Sequence, residues 1–196
     1  MSEKLPLVLG SGSIFRRAQL TRLGLDFQTA SPDFDETPQA GENAEQTALR
    51  LAEGKARSLA AQFPRALVIG ADQVAWCGGR QLGKPMNVAA AQQMLASLSG
   101  KQIEFYSTVV LLNTAANRIQ THVDYTAVTM RTLTDAQIRA YLAREPDAVY
   151  CAGAAKSEGL GTALIEEIDS RDPNALIGLP LFRLIDFLRN EGVEIL

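Results

Sequence analysis

Apolar positions along this chain recur with two different periods, and the change between them marks the elements. Leu5–Gly10 is a short apolar run that predicts a buried strand. After the small polar loop Ser11–Ser13 the period becomes helical from about Ile14. Ala18, Leu20 and Leu23 then face inward and Gly24 is the stop. Phe27–Ala30 predicts a second strand, and Ser31–Gly41 an acid- and proline-rich loop. Asn43 is a suitable N-cap for the next segment. There Ala44, Ala48, Ala52, Ala56 and Ala60 recur every fourth residue beside Leu49, Leu59 and Phe63, the clearest amphipathic helix of the chain. Leu67–Ala71 predicts a buried strand ending in Asp72, and Val74–Cys77 with Gly78 and Gly79 a hairpin. A helix follows over Val88–Ser99, stopped by Gly100. Ile103–Asn113 and Ile119–Arg131 are rich in Val, Thr and Tyr, and their short connection predicts an antiparallel pair. Thr134 caps a helix to about Ala143, Ala163–Ile168 is a last strand, and Leu181–Glu191 a last helix closed by Gly192. The mixture predicts an α/β fold with a mixed sheet.

Composition narrows the class. A length of 196 residues fits one domain, or one domain with two lobes. Hydrophobic residues at 46% and charged residues at 21% are those of a globular protein. Nineteen basic against 22 acidic residues give a net charge of −3, so no overall field draws nucleic acid or an anionic membrane. Cys77 and Cys151 are too few for a disulfide framework and read as reduced, buried, structural thiols. The single histidine, His122, sits in a polar stretch that reads as an exposed strand, which argues against a Ser–His–Asp triad. The N-terminus lacks the apolar core of a signal peptide, and no run approaches the ~20 apolar residues of a membrane span. The expected location is the cytoplasm.

Five places could carry chemistry. The strand–GSGS–helix start brings backbone N–H groups and the hydroxyls of Ser11 and Ser13 together, with Arg16 and Arg17 in the first turn. This reads either as an anion cradle or as an ordinary capped helix. Asp72, at the predicted end of a buried strand, reads either as a catalytic carboxylate or as a turn former. GGRQLGKP carries the glycines and lysine of a P-loop, but Pro85 stands where a magnesium-binding hydroxyl belongs. Lys84 then remains as a loop lysine with a claim on phosphate. Lys55 borders the apolar helix face, where a lysine ordinarily snorkels to water. Glu158, between glycines in KSEGLG, is either a site acid or an exposed turn residue.

Taken together, seven motifs occur in one order. They are SGS with the arginine pair, DET at Asp35–Thr37, RLA and KA within Arg50–Ala56, GADQ at Gly70–Gln73, GKP at Gly83–Pro85, KSEG at Lys156–Gly159 and RDPNALIGLP at Arg171–Pro180. In these the chain resembles the Maf family of nucleotide pyrophosphatases over nearly its whole length. The resemblance implies a single Maf-like domain over 1–196, with an elongated α/β fold shared with inosine-triphosphate pyrophosphatases. It implies two lobes around a central cleft, and homodimers. It also implies hydrolysis of a nucleoside triphosphate to a monophosphate and pyrophosphate with a divalent cation, magnesium or manganese.

Residue by residue, Arg16 matches the family's loop arginine, Glu36 its second-loop acid, Lys55 the helix lysine, Asp72 the catalytic aspartate and Lys84 the lysine of GKP. Asp72 and Glu36 would hold or orient the metal, and Arg16, Lys55 and Lys84 the triphosphate, with Ser11 and Ser13 helping. Ile14 departs from the family's proline before the arginines and removes no functional group. Phe15, Gln73 and Glu158 resemble the branch that prefers 7-methyl-GTP over dTTP and UTP. N7 methylation makes guanine cationic, which favours an aromatic face and a carboxylate. That carboxylate can also accept from the N1–H and the exocyclic amine together. A pyrophosphatase for dTTP or UTP, and a non-catalytic nucleotide sensor, are the alternatives.

Overall fold

The computed structural model describes residues 4–37 and 39–196, so Pro38 of the predicted acidic loop and the first three residues lie outside it. The elements in chain order are β1 (Leu7–Gly10), α1 (Ile14–Thr21), β2 (Phe27–Ala30), α2 (Ala44–Ser58), β3 (Leu67–Cys77) and β4 (Arg80–Leu82). There follow α3 (Val88–Leu98), β5 (Gln102–Asn113), β6 (Arg118–Met130), α4 (Asp135–Arg144), β7 (Ile165–Ser170) and α5 (Leu181–Asn190), with short 3-10 turns after α4 and before α5. The fold is α/β, with a seven-stranded sheet in the order β2-β1-β3-β5-β6-β7 and β4 paired to β3. The sheet is mixed. β1 runs parallel to β2 and β3, whereas β3–β4 and β6–β7 are antiparallel.

The predicted caps are present. Asn43 and Thr134 each close a capping box, with Gln46 and Gln137 respectively, satisfying the first free N–H groups of α2 and α4. One boundary differs from expectation. The strand predicted to end in Asp72 continues without a break to Cys77, so Asp72 sits within β3 rather than at its tip. A charge there ordinarily ends a buried strand, but this carboxylate is neutralised by a cation from α2, and the ladder runs on.

The chain divides into two compact units. The first comprises residues 1–73, 107–124 and 172–196, and the second residues 74–106 and 125–171. In the first unit, side-chain alternation on β1, β3 and β5 separates two apolar layers. Leu7, Leu9, Leu67, Ile69, Val109 and Leu111 pack with Leu20 of α1 and with Leu181, Leu184 and Leu188 of α5. Val8, Val68, Val110 and Leu112 point the other way, onto Ala52, Ala56 and Leu59. The alanine stripe is thus the face by which α2 lies on the sheet. Gly70 makes that approach close, because a Cβ there would stand 2.3 Å from the Ala52 carbonyl oxygen and 2.9 Å from the Ala56 Cβ. In the second unit the predicted hairpin forms through Gly78 and Gly79, and α3 and α4 cover the unit's core with Leu95, Leu98, Ile138 and Leu142 buried.

Candidate functional site

The first unit assembles an acidic and basic centre from four segments. Asp72 lies two residues beyond Gly70 on β3 and so shares the α2 face. Lys55 lies one helical turn beyond Ala52, the residue against which Gly70 packs. The close approach of helix and strand brings the ends of these side chains together, with Lys55 Nζ 2.6 Å from Asp72 Oδ1. Both side chains are nearly covered, at 11% and 10% exposed. Lys55 therefore does not snorkel to solvent as a lysine on the border of an apolar face ordinarily does. It is buried, and it also donates to Glu36 Oε2 at 2.7 Å.

Glu36 reaches Lys55 from a loop that the helix itself anchors. Gly54 leaves room for the ring of Phe34, whose atoms would come within 2.2 Å of a Cβ at that position. Asp35 Oδ1 accepts from the Thr37 backbone N–H and hydroxyl at 2.9 and 2.6 Å, and Arg50 donates to the Thr37 carbonyl oxygen at 3.3 Å. Arg50 in turn forks onto Glu42 at 2.6 and 2.8 Å. The family resemblance points to Glu36, and neither it nor the residue pattern assigns work to Phe34, Gly54 or Arg50. The signal was the four-residue offset from Arg50 to Gly54 on one helix, legible only once the loop's position is known.

Arg16 completes the centre. Ser13 caps α1, accepting from the Arg16 N–H at 3.4 Å. Ser11 Oγ accepts from the Ser13 N–H at 3.2 Å and from Arg16 Nη1 at 3.4 Å, which leaves its own proton free to donate. Arg16 Nε donates to the Gly178 carbonyl oxygen at 2.9 Å. Burial holds the guanidinium's pKa below its usual value, and the negative charges of Asp72 and Glu36 offset only part of that shift. Two cations and two carboxylates thus stand near one another and cancel in charge.

The segment 172–182, noted in the sequence only as a motif, is organised by Asp172. This buried carboxylate accepts from the Asn174 N–H and side-chain amide at 2.9 and 2.7 Å and from the Phe182 N–H at 2.8 Å. Gly178 has φ +120°, a conformation open to glycine, and its carbonyl is the one that holds Arg16. Gln73 Nε2 donates to the Ala175 and Leu176 carbonyl oxygens and to Ser107 Oγ at 2.9–3.1 Å. Its amide donors thus bind the protein's own segment and only its carbonyl oxygen remains for a ligand. Phe15 is half-buried on α1 and Arg17 is exposed.

Lys84 and Glu158 belong to the second unit, where both are exposed. They share a neighbourhood. Burial and Glu158 push the half-buried Cys151 thiol up to about 11, while Lys156 and Lys84 oppose the shift. Both cysteines are free thiols. A cavity of about 210 Å³ in this unit, lined by Arg131, Tyr141, Arg144 and Leu160 among others, contains none of the predicted site residues. His122 lies on β6 with Nε2 3.6 Å from Asp124 Oδ2. No helix among the described residues is long and apolar enough to cross a membrane.

The sequence model for Maf-like proteins matches residues 6–191. A 7-methyl-GTP pyrophosphatase of Neisseria gonorrhoeae is 68% identical over 196 residues, covering all of both chains. One of Chromobacterium violaceum is 55% identical over 190 residues, 97% of this chain and 98% of that one. Among solved structures, a HAM1 protein from Coxiella burnetii aligns with a TM-score of 0.45 at 19% identity, covering 65% of this chain and 73% of that chain.

Proposed function

The chain belongs to the Maf family, and on that premise we propose that it hydrolyses 7-methyl-GTP to 7-methyl-GMP and pyrophosphate. The reaction adds water across the α–β phosphoanhydride. The observation that carries the reading is the buried Lys55 held between Asp72 and Glu36. A lysine buried between two carboxylates is costly to desolvate, and phosphoryl chemistry, which is largely positioning and charge neutralisation, has a use for it. The relatives' shared name supplies the substrate.

In this reading Arg16, Lys55 and Lys84 hold the phosphates, and Ser11 and Ser13 add hydroxyl donors. Asp72 orients the attacking water and accepts its proton. Phe15 offers an aromatic face to the cationic base, Gln73 a carbonyl oxygen, and Glu158 a carboxylate for the guanine N1–H and amine.

The charges of the first-unit centre cancel, so a triphosphate needs further positive charge, and a magnesium or manganese ion is part of the proposal. The donors fit one. The second oxygens of Asp72 and Glu36 accept no hydrogen bond from any described residue. One or two carboxylates plus substrate phosphates are the usual oxygen set for magnesium. No group of three or more His, Cys, Asp or Glu residues able to hold a metal occurs among the described residues. When bound, the cation supplies charge to the phosphates and lowers the pKa of water.

One family match spans both compact units, which supports reading residues 1–196 as a single Maf-like domain. The reading extends to a homodimer in the cytoplasm, tested by analytical ultracentrifugation and cell fractionation.

The deciding experiment is a panel of 7-methyl-GTP, GTP, UTP and dTTP with magnesium, manganese or EDTA, with products separated by anion exchange. Pyrophosphate and 7-methyl-GMP, formed fastest from 7-methyl-GTP and abolished by EDTA, are expected. Orthophosphate with a nucleoside diphosphate would overturn the reaction. A preference for dTTP or UTP would overturn the base assignment alone. Binding without turnover would indicate a sensor.

A further inference from the structure

Glu158 is exposed, and among the described residues its carboxylate has one hydrogen bond, a long 3.5 Å one from the neighbouring Ser157 hydroxyl. Where that carboxylate can reach therefore depends on where the backbone on either side places its Cα. That backbone is fastened by Glu145, the residue that closes α4. Glu145 Oε1 accepts from the Leu160 N–H at 3.3 Å, and Oε2 pairs with Lys156 Nζ at 3.3 Å. One carboxylate thus joins the residues two before and two after Glu158. Between them Gly159 passes so close that a Cβ would lie 3.1 and 3.2 Å from the two Glu145 oxygens. The φ of Gly159 is −123°, outside the left-handed range, and the atoms that a Cβ here would meet are those of the Glu145 carboxylate.

Further bonds close the loop on the same side. Tyr141, one turn before Glu145 on α4, accepts the Lys156 N–H at 2.9 Å, and burial pushes its hydroxyl up to about 12, so it stays neutral. Thr162 Oγ1 donates to the Ser157 carbonyl at 2.7 Å. The Glu145 side chain is only 20% exposed, so water competes little with these bonds.

We propose that Glu145 is a positioning residue for base selection: its carboxylate clamps residues 156–160 and so aims Glu158 at the guanine edge. The inference rests on the reading that Glu158 recognises the base. It assigns Glu145 no contact with the nucleotide.

The test is kcat and KM of the full chain on 7-methyl-GTP and UTP for wild type, Glu145→Gln, Glu145→Ala, Gly159→Ala, Glu158→Gln and the pair Glu145→Ala with Glu158→Gln. Glu145→Ala should lower the preference for 7-methyl-GTP over UTP at least fivefold, through KM, with kcat on UTP within twofold of wild type. Gly159→Ala, which displaces the carboxylate from the other side of the contact, should do the same. Glu145→Gln keeps an acceptor for the Leu160 N–H and should retain at least half the preference. In the Glu158→Gln background, Glu145→Ala should change the preference no further, as expected of two residues acting through one contact. Equal losses on both nucleotides, or an unchanged preference in Glu145→Ala while Glu158→Gln lowers it, would overturn the clamp and leave the reading of Glu158 standing. If Glu145→Ala does not fold, Gly159→Ala decides by the same criteria. A wild-type preference in Glu158→Gln would overturn the base-reading role itself, and the clamp with it.

Discussion

Replacing Lys55 by methionine keeps the apolar stem and removes the ammonium, and the structure sets what that should cost. At 2.6 Å and an effective dielectric of ~20, the attraction to Asp72 is roughly 6 kcal/mol before desolvation is subtracted. The contact to Glu36 is almost as short, at 2.7 Å, but that side chain is 59% exposed against 10% for Asp72. Water screens the Glu36 pair down to the ~0–1 kcal/mol of surface ion pairs. The Asp72 pair cannot be screened in this way. Removing one member of a buried pair costs about 3–5 kcal/mol, because the other charge is left uncompensated, and Lys55→Met is expected in that range. Adding Asp72→Asn should return part of the loss, giving a coupling of about 2–3 kcal/mol, whereas Glu36→Gln should couple by less than ~1 kcal/mol. The assay is urea unfolding at pH 7 without nucleotide or divalent metal. It is followed by the fluorescence of Trp76, the single tryptophan, and by far-ultraviolet circular dichroism, whose coincidence licenses two-state free energies. Equal couplings to the two acids, or a Lys55–Asp72 coupling below ~1 kcal/mol, would refute the claim that burial rather than distance decides which acid holds the lysine.

Four further outcomes are expected. Asp72→Asn should lower kcat by at least ~100-fold with nucleotide affinity by calorimetry largely kept, since acid–base assistance contributes about 10²–10⁴-fold; wild-type turnover would remove Asp72 from the chemistry. Arg16→Ala and Lys84→Ala should each weaken binding of the triphosphate more than of the monophosphate, and both more than the exposed Arg17→Ala; equal losses for the two ligands would show that they do not read the phosphate chain. Gly70→Ala should destabilise by about 1–3 kcal/mol, as overpacking does, and lower activity by displacing Lys55 from Asp72; a fully active, fully stable variant would contradict the helix–strand contact. Glu191 is held below the usual carboxylate range, first by its bond from Arg118, so its contribution to stability is full above the unfolded value of ~4.3 and disappears as the pH falls through the folded value. The Tm difference between wild type and Glu191→Gln should therefore be present at pH 7 and shrink on acidification.

The helices and most strands were legible in the sequence because their signals are local. Asn43 and Thr134 announce α2 and α4 through side chains that bond three residues on, and the alanine stripe announces the face that α2 buries. β3 was misjudged at Asp72 because its neutralising cation comes from a helix 17 residues away in sequence, and single-strand patterning cannot see it. The same holds for the site. Arg16, Lys55 and Asp72 stand out by residue type and place, and Glu36 only through the family resemblance. The parts that aim them do not stand out, because Phe34 on Gly54, the carbonyl of Gly178 and the carboxylate of Asp172 act through shape and backbone. Lys55 shows the limit most plainly. Its helical position suggested a solvated end, and its burial followed only from the closeness of α2 to the strand.

The grip on Arg16 has a consequence for how this protein can be dissected. The acceptor that holds its guanidinium is the peptide carbonyl of Gly178, and the carbonyls of Ala175 and Leu176 receive Gln73 in the same manner. Every amino acid carries that group. A side-chain scan through 175–178 therefore leaves these acceptors chemically in place, and any loss it records reports displaced backbone rather than a missing partner. Genetic substitution cannot delete them. An ester in place of the amide between Gly178 and Leu179, made by semisynthesis, would weaken the 178 carbonyl as an acceptor while leaving every side chain as it is. Part of the machinery of this site is thus encoded by where the chain runs and not by which residues it carries.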